Sequence, residues 1–250
     1  MQILISSAKI MTGYAPREIP LTTEPAFQRQ ANENAAQMVA YSPEELMVML
    51  HVNRNIAVEN WRRYQSFHDG GIRQAAVFSY DGMVFQRLAP ETFTDEELRY
   101  ANRHLLISSF LYGLLRPLDL INRYRLEGNV VLSRHGGKSM FDHWKPVLTD
   151  WFIGKIKSDD GILVNLASGE MRNLFDWRRV KREVKIVTPE FKVEKDGRLK
   201  TIVIYTKMCR GAMARYILTN KLMDVDELKG FEYEGFCLDH TEGEWMFTLK

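Results

Sequence analysis

The stretch LYGLLRPLDLINRYRLE, residues 111–127, decides how the rest of the sequence is interpreted. Gly113 and Pro117 interrupt it, and proline lacks a backbone donor and fixes its own φ, so no long helix or strand can run through it. Its charges alternate in sign around two tyrosines: Tyr112, Arg116, Asp119, Arg123, Tyr124, Arg125 and Glu127. Such a mixture can bind phosphate through arginine forks, or it can form a buried ion-pair knot between two layers. The stretch alone leaves both interpretations open.

Short apolar runs outside this stretch predict buried strands that are followed directly by polar side chains. The runs are residues 2–6, which precede Lys9, residues 105–109, which precede the 111–127 stretch, and residues 162–166, which precede Ser168 and Glu170. Polar groups just past a core strand lie where α/β sheets bind ligands. Ser168 also precedes a predicted helix, whose N-terminus would attract an anion.

The remaining pattern predicts helices alternating with short strands. Helices are expected at 27–41, 43–51, 53–67, 95–103, from 139 to about 152, at 208–222 and after Asp224, with Gly70-Gly71 ending the first helical block. Further strands are expected at 74–79, 130–132, 231–238 and 244–249, and a hairpin joins 184–193 to 199–206. We therefore predict a single domain over residues 1–250 of the α+β (mixed α/β) class, with a central mixed sheet surrounded by helices.

Composition is typical of a globular protein, with 45% apolar and 26% charged residues and a formal net charge of +2. No apolar run is long enough to span a membrane, and the N-terminus lacks the features of a signal peptide, so we expect a cytoplasmic protein.

Cys209 and Cys237 are far apart in sequence, and an inert Cys209 is favoured over a reactive one. The six histidines follow no zinc-binding pattern, and no P-loop or GxGxxG motif is present, so no metal or cofactor is expected.

If the strand ends share one edge of the sheet, their side chains form a positively charged cleft suited to a phosphate-bearing ligand. Lys207 and Arg210 are assigned to the same cleft because they follow another predicted strand, and the basic cluster at 178–182 would extend the surface. The phosphate-binding candidates are Lys9, Arg116, Tyr124, Arg125, Asn165, Ser168, Lys207, Arg210 and Arg215. Asp119, Glu127 and Glu170 either orient these cations or act as acid or base.

Five segments give the sequence a resemblance to the YaaA peroxide-stress protein family. They are ISSAK (5–9), PLTTEP (20–25), LYGLLRPLDLINRYRLE (111–127), NLASGE (165–170) and KMCRGAMAR (207–215). The chain departs from the usual family pattern at Ser7, Gly169, Met171 and Cys209, while the main cationic and acidic positions are kept.

The resemblance implies a cytoplasmic protein of the response to hydrogen peroxide that limits iron-driven damage and binds DNA. It also implies a positively charged cleft and a helix-hairpin-helix element, for which residues 224–231 are the one candidate here. We expect a monomer that binds double-stranded DNA without sequence preference. The alternative is an enzyme acting on a nucleotide, nucleoside or damaged base in the same cleft. Direct iron ligation is disfavoured because His and Cys are not clustered.

Overall fold

The structure, a computed structural model, describes residues 1–14, 16–69 and 73–250. The predicted end of a helical block at Gly70-Gly71 lies outside these residues. The strands are β1 (Gln2–Ser6), β2 (Gln74–Ala75), β3 (Leu105–Ser109), β4 (Gly113–Leu115), β5 (Leu120–Ile121), β6 (Ile162–Asn165), β7 (Lys185–Val187), β8 (Glu190–Lys195), β9 (Arg198–Lys200), β10 (Cys237–Leu238) and β11 (Met246–Leu249).

The α-helices surround these strands, and short 3₁₀ helices lie between them. The α-helices are α1 (Gln28–Met38), α2 (Pro43–Leu50), α3 (Arg54–Gln65), α4 (Ala76–Ser79), α5 (Met83–Leu88), α6 (Asp95–His104), α7 (Met140–Lys157), α8 (Trp177–Glu183) and α9 (Val203–Asn220). The 3₁₀ helices are Pro90–Thr92, Ser133–His135, Gly169–Leu174 and Val225–Gly230. The predicted mixed α/β class is confirmed. Capping boxes at Ser42 and Thr94 begin α2 and α6, at the helix starts predicted at residues 43 and 95.

The central sheet has the strand order β4-β3-β1-β6-β7. β1, β3, β6 and β7 are parallel, and only β4 is antiparallel to its neighbour. The parallel strands β1, β3 and β6 are almost entirely buried, as expected for a sheet covered on both faces, whereas the edge strand β7 is partly exposed. Their carboxyl ends therefore lie at one edge, which brings together the loops after Ser6, Ser109 and Asn165.

The 111–127 stretch turns the chain back from β3 into β4 and then β5. Gly113 has a φ of +71°, a conformation that disfavours any residue with a Cβ. A Cβ there would also lie 2.9 Å from Trp144 and 2.8 Å from Leu148 on α7. The glycine thus allows the chain to turn tightly against α7 while the stretch remains next to the strand ends.

A second sheet, β10-β11-β8-β9, corrects the prediction for residues 184–206. The predicted strand 184–193 is two strands in different sheets, β7 and β8. Pro189, which cannot donate to a ladder, lies between them. The hairpin around Asp196 is confirmed. Its second strand ends at Lys200, and α9 begins at Val203 rather than at 208.

Three other predicted strands are shorter or absent. Only β2 of the predicted strand 74–79 is extended, because the N–H groups of Ala76 and Val77 donate to Asp119 and Pro117 and α4 follows. Residues 130–132 contain a single bridge from Val131 to Ser139 because a 3₁₀ helix begins at Ser133. The region 231–238 is extended only in β10, after a tight turn with φ of 46° at Glu234 and 83° at Gly235.

Helix α9 packs closely against α5, which the sequence did not predict. A Cβ at Gly211 would lie 2.2 Å from the carbonyl oxygen of Val84, so glycine is required for this approach. After α9, residues 224–231 form the 3₁₀ helix Val225–Gly230, with a capping box between Asp224 and Glu227. Among the described residues, no helix is long and apolar enough to cross a membrane.

Candidate functional site

A cavity of about 490 Å³ opens at the carboxyl edge of the central sheet. Three of the expected strand ends contribute to it, together with α5 and α9. Its lining is Ser6, Ser7, Ala8, Lys9, Ile10, Asp81, Gly82, Met83, Val84, Phe85, Phe110, Tyr124, Arg125, Leu126, Glu127, Leu166, Ser168, Glu170, Met171, Lys207 and Arg210. We call this the edge cavity. Its charge is mixed, since four cationic and three acidic side chains line it.

Glu127 joins two of the predicted cations at one wall of the edge cavity. Its carboxylate lies 2.9 Å from Lys9 Nζ and 3.1 Å from the Arg125 guanidinium. The Glu127 side chain is 15% exposed, whereas that of Lys9 is 65% exposed. The carboxylate therefore holds Arg125 in place and leaves Lys9 at the solvent side of the cavity.

Tyr124 lies in the wall of the cavity, within a cluster of buried hydroxyl groups. Its hydroxyl is 2.6 Å from Ser109 Oγ and 2.8 Å from the hydroxyl of Tyr80. Burial raises the pKa of Tyr124 to about 12. The phenol therefore stays protonated at neutral pH and can supply only a neutral hydroxyl to the site.

Lys207 and Arg210 reach the cavity from α9, one turn apart, and not from a strand end as predicted. Lys207 is exposed, and Arg210 is half-buried. Burial, reinforced by the nearby Arg172, lowers the pKa of Arg210 from its ordinary value. Within residues 1–14, 16–69 and 73–250, neither side chain forms an ion pair with a carboxylate.

Ser168 and Glu170 lie at the cavity on the loop after β6. The Ser168 N–H donates to Ser6 Oγ at 2.9 Å, which ties this loop to the end of β1. The helix that follows is the short 3₁₀ segment Gly169–Leu174, and Ser168 does not cap it with its side chain. Glu170 is exposed and has no hydrogen-bond partner among the described residues.

Arg116 and Asp119 form an ion pair outside the lining of the edge cavity, in which the carboxylate is buried and the arginine is 34% exposed. The Arg116 guanidinium lies 2.9 Å from Asp119 Oδ1 and also donates to the carbonyl oxygen of Glu24. The Thr23 hydroxyl donates to the same Asp119 oxygen at 2.6 Å. Asp119 is 1% exposed, and burial raises its pKa although these donors oppose the shift. Arg116 and Asp119 therefore pair with each other outside the cavity lining, whereas Tyr124, Arg125 and Glu127 belong to it.

Asn165 and Arg215 are also placed outside the cavity lining. Asn165 is 2% exposed, and its side-chain Oδ1 accepts a hydrogen bond from the Ala167 N–H, which shapes the turn after β6. Arg215 donates to the carbonyls of Leu88 and Ala89, the last residue of α5 and the residue after it, and stacks on the ring of Phe93. Both side chains have structural partners that local sequence does not reveal.

Several lining residues were not anticipated from the sequence. Asp81 lies in the turn before α5, and Val84 and Phe85 lie on α5, a helix that was not predicted from the sequence. Phe110 and Leu166 follow β3 and β6 directly, so the rule that found the strand ends also points to them. α5 has no comparable signal, because six residues are too few to show helical periodicity.

Neither cysteine contributes to the edge cavity. Cys209 is fully buried, and burial raises its thiol pKa to about 12, which matches the inert thiol expected from the sequence. Cys237 is exposed. In the part of the chain that the structure describes, no group of three or more His, Cys, Asp or Glu side chains is arranged to hold a metal ion.

The edge cavity combines cations, apolar side chains and hydrogen-bonding groups. Unpaired cations on α9 can contact phosphate, and the apolar side chains Phe85, Phe110 and Met171 offer contact to a ring. Carboxylates and hydroxyls supply acceptors and donors. The fold and site define a mixed α/β protein with a cation-bearing cavity at the carboxyl edge of a parallel sheet, the place where such sheets bind ligands.

Comparison with known proteins then shows the family. Residues 1–242 match the family described as "Peroxide stress protein YaaA", and the chain belongs to that family. It is 51% identical over 253 residues to a UPF0246 protein of Phocaeicola vulgatus, covering 100% of this chain and 99% of that protein. It is 54% identical to UPF0246 protein BF3795 of Bacteroides fragilis, covering 99% and 98%. UPF0246 protein FP0718 of Flavobacterium psychrophilum is 35% identical, with 96% and 95% covered. Membership supports a role in peroxide stress.

Proposed function

We propose that this protein is a cytoplasmic monomer that binds double-stranded DNA without sequence preference and so limits iron-driven oxidative damage. The observation that carries the proposal is the pair Lys207 and Arg210, which lie at the edge cavity without a carboxylate partner among the described residues. A cation without a protein partner can bind a phosphate directly, whereas one held by a carboxylate must share that contact.

The distribution of charge supports a polyanionic ligand. Lys9 is paired with Glu127 but is 65% exposed, so it can contact a phosphate at the solvent side. Arg125 is held more deeply by the same carboxylate, which aims it and limits its movement. Phosphate contacts are thus supplied by Lys9, Lys207 and Arg210. Arg125 lies in the cavity wall, held by Glu127.

Phosphate contacts carry no sequence information, so binding of this kind is independent of sequence. Protein bound along the duplex would reduce the access of iron-derived oxidants to the backbone beneath it. This links the proposed binding to the peroxide-stress role of the family. We also propose that α9 and the 3₁₀ helix Val225–Gly230 together form the helix-hairpin-helix element that contacts the duplex.

The test is fluorescence anisotropy with two labelled duplexes of equal length and unrelated sequence. We expect the double variant Lys207→Ala/Arg210→Ala to lose at least about tenfold in affinity for both duplexes, because two phosphate contacts are removed. The control Arg29→Ala/Lys155→Ala removes the same charge from α1 and α7, and we expect a change of less than about twofold, since neither residue lines the cavity.

Equal loss in the control and cavity variants would show that binding depends on net charge alone and would contradict the proposed site. A wild-type preference for one sequence would contradict the sequence-independent part. Absence of binding at low salt would overturn the proposed function altogether.

A second candidate function has its own support in Glu170. This carboxylate is exposed at the cavity and has no partner among the described residues, so it is free to act as acid or base on a free nucleotide or nucleoside. A thermal-shift screen of nucleotides, nucleosides and bases tests this function. It predicts a ligand-dependent rise in melting temperature and a loss of turnover in Glu170→Gln, and no shift with any compound contradicts it.

A further inference from the structure

Helix α9 presents an apolar residue on the same side as Lys207 and Arg210, the two cations that this helix contributes to the edge cavity. At 100° per residue, Val203, Lys207 and Arg210 lie within about 60° of one another on the helix surface. Val203 is 65% exposed and Ile204 is 51% exposed, although both open a helix whose later residues are largely buried. The first turn of α9 therefore carries unpartnered apolar side chains one turn before the phosphate-binding cations.

The interior of the edge cavity is apolar, in contrast to its opening. Phe85, Phe110, Leu166 and Met171 contribute to its walls and are between 1% and 5% exposed. A volume of about 490 Å³ falls in the range of cavities that hold small ligands. A base pair within a duplex cannot enter such a space, whereas one nucleotide swung out of the stack can.

The acidic side chains of the cavity are unexplained by phosphate binding alone. Asp81, Glu127 and Glu170 add acceptors to a site that a backbone binder would keep cationic. Carboxylates accept hydrogen bonds from the exocyclic amino groups of bases. A site that takes both a phosphate and a base accounts for the cations at the opening, the apolar wall and the carboxylates together.

We propose that the edge cavity receives one extrahelical nucleotide of a DNA duplex, while the exposed Val203-Ile204 turn of α9 fills the space it leaves in the stack. Apolar wedges of this kind are used by proteins that unstack duplex DNA. Removing a base from the stack costs least where it is already unpaired, so the protein prefers a duplex with a bulged nucleotide. This inference rests on the proposed function, because the nucleotide is delivered by a bound duplex.

The experiment compares two labelled duplexes that differ only by a single bulged nucleotide. We expect the wild-type protein to bind the bulged duplex at least about tenfold more tightly. Ser168→Phe fills the cavity without changing its charge, and we expect it to abolish this preference, so that the bulged and the paired duplex bind with equal affinity. Ser133→Phe is the matched control, since Ser133 is exposed and also makes one long side-chain hydrogen bond, yet lies away from the cavity. It should keep the preference.

A second measurement needs no variant. With 2-aminopurine as the bulged base, we expect protein binding to protect its fluorescence from acrylamide by at least about threefold. A paired duplex bound normally, with no preference for the bulge and no protection, overturns this inference and leaves the proposed function standing. No binding of either duplex overturns the proposed function instead.

Discussion

At the scale of single residues, burial separates two ion pairs that look alike in sequence. Asp119 and Glu127 both pair with an arginine of the 111–127 stretch. Asp119 is 1% exposed and accepts hydrogen bonds from the Thr23 hydroxyl, the Arg116 N–H and the Arg116 guanidinium. Arg116 therefore stabilises the fold. The Glu127 side chain is 15% exposed and lines the edge cavity, so its two cations lie at the cavity wall. The same stretch therefore contains a buried carboxylate with a structural partner and a part of the cavity lining.

Arg116→Ala and Arg210→Ala should have opposite consequences. Removing Arg116 leaves the Asp119 carboxylate buried without its cation, and we expect a loss of about 2–4 kcal/mol in the free energy of unfolding with DNA affinity unchanged in the folded protein. Removing Arg210 takes away an unpaired cation, so stability should change little and affinity should fall. Urea denaturation and anisotropy measure the two effects. Weaker DNA binding in folded Arg116→Ala would place the knot in the binding site.

The two thiols should differ sharply in reactivity. Burial raises the Cys209 pKa to about 12, so almost no thiolate forms at pH 8, while Cys237 is exposed. We expect a thiol-reactive dye such as DTNB to label one cysteine per native chain rapidly and both after denaturation. Cys237→Ser should abolish the rapid phase, whereas Cys209→Ser should leave it intact. Rapid labelling of Cys209 in the native protein would show that α9 opens at this position.

At the scale of elements, the contact between α9 and α5 fixes the position of the cavity cations. Gly211 follows Arg210 directly and touches the backbone of α5 at Val84. The Arg215 guanidinium donates hydrogen bonds to the carbonyl oxygens of Leu88 and Ala89 at the end of the same helix. Any change that separates these helices moves Lys207 and Arg210 away from the strand ends.

Gly211→Ala tests this contact against a matched glycine. Its added methyl group would lie 2.2 Å from the backbone carbonyl oxygen of Val84, and relieving this clash requires the backbone of α5 to move. We expect a loss of at least about 2 kcal/mol in the free energy of unfolding. Gly154→Ala on α7 has nothing within 4 Å, and it should stabilise by about 0.5–1 kcal/mol. Thermal and urea unfolding compare them, and equal effects would argue against close packing of α9 on α5.

Two stacked histidines, His135 in the 3₁₀ helix Ser133–His135 and His143 on α7, should make stability depend on pH. The rings of His135 and His143 are 3.7 Å apart and parallel. Burial lowers both pKa values, that of His143 to about 4, so between pH 6.5 and 4 the unfolded chain binds more protons than the folded one. The free energy of unfolding is therefore unaffected by these histidines above pH 6.5, and it decreases as the pH falls towards 4.

The size of this effect is modest because both rings are half-exposed. We expect a loss of about 1 kcal/mol, equivalent to about 2–4 °C in melting temperature. His143→Phe should flatten the melting temperature over this pH range, and His240→Gln, an exposed control, should not. A decline that persists unchanged in His143→Phe would assign the effect to other groups.

At the scale of the whole molecule, the sequence predicted the strand ends but not their partners. The strands β1, β3 and β6 were visible as apolar runs, and parallel pairing then placed Lys9 and Ser168 at one edge. The contribution of α9 was also anticipated in Lys207 and Arg210, although the preceding residues were assigned to a strand. Their β-branched character favoured that prediction, and packing against α5 overrides it.

The remaining errors concern contacts between distant residues. Nothing near Arg215 in sequence shows that its partners are Leu88 and Ala89, and nothing near Asp119 indicates Thr23. Likewise, the buried segment Ala76–Ser79 reads equally well as a strand or a helix, because a short apolar run has no clear period. Such assignments depend on tertiary neighbours that a single sequence does not supply.

The salt dependence of DNA binding tests the central claim most directly. Each phosphate contact releases counterions, so the logarithm of affinity falls linearly with the logarithm of salt concentration, with a slope that counts the contacts. We predict that Lys207→Ala/Arg210→Ala reduces the magnitude of this slope by about two, while Arg29→Ala/Lys155→Ala leaves it unchanged. An identical slope in the wild-type protein and the cavity variant would show that the edge cavity does not contact the DNA backbone.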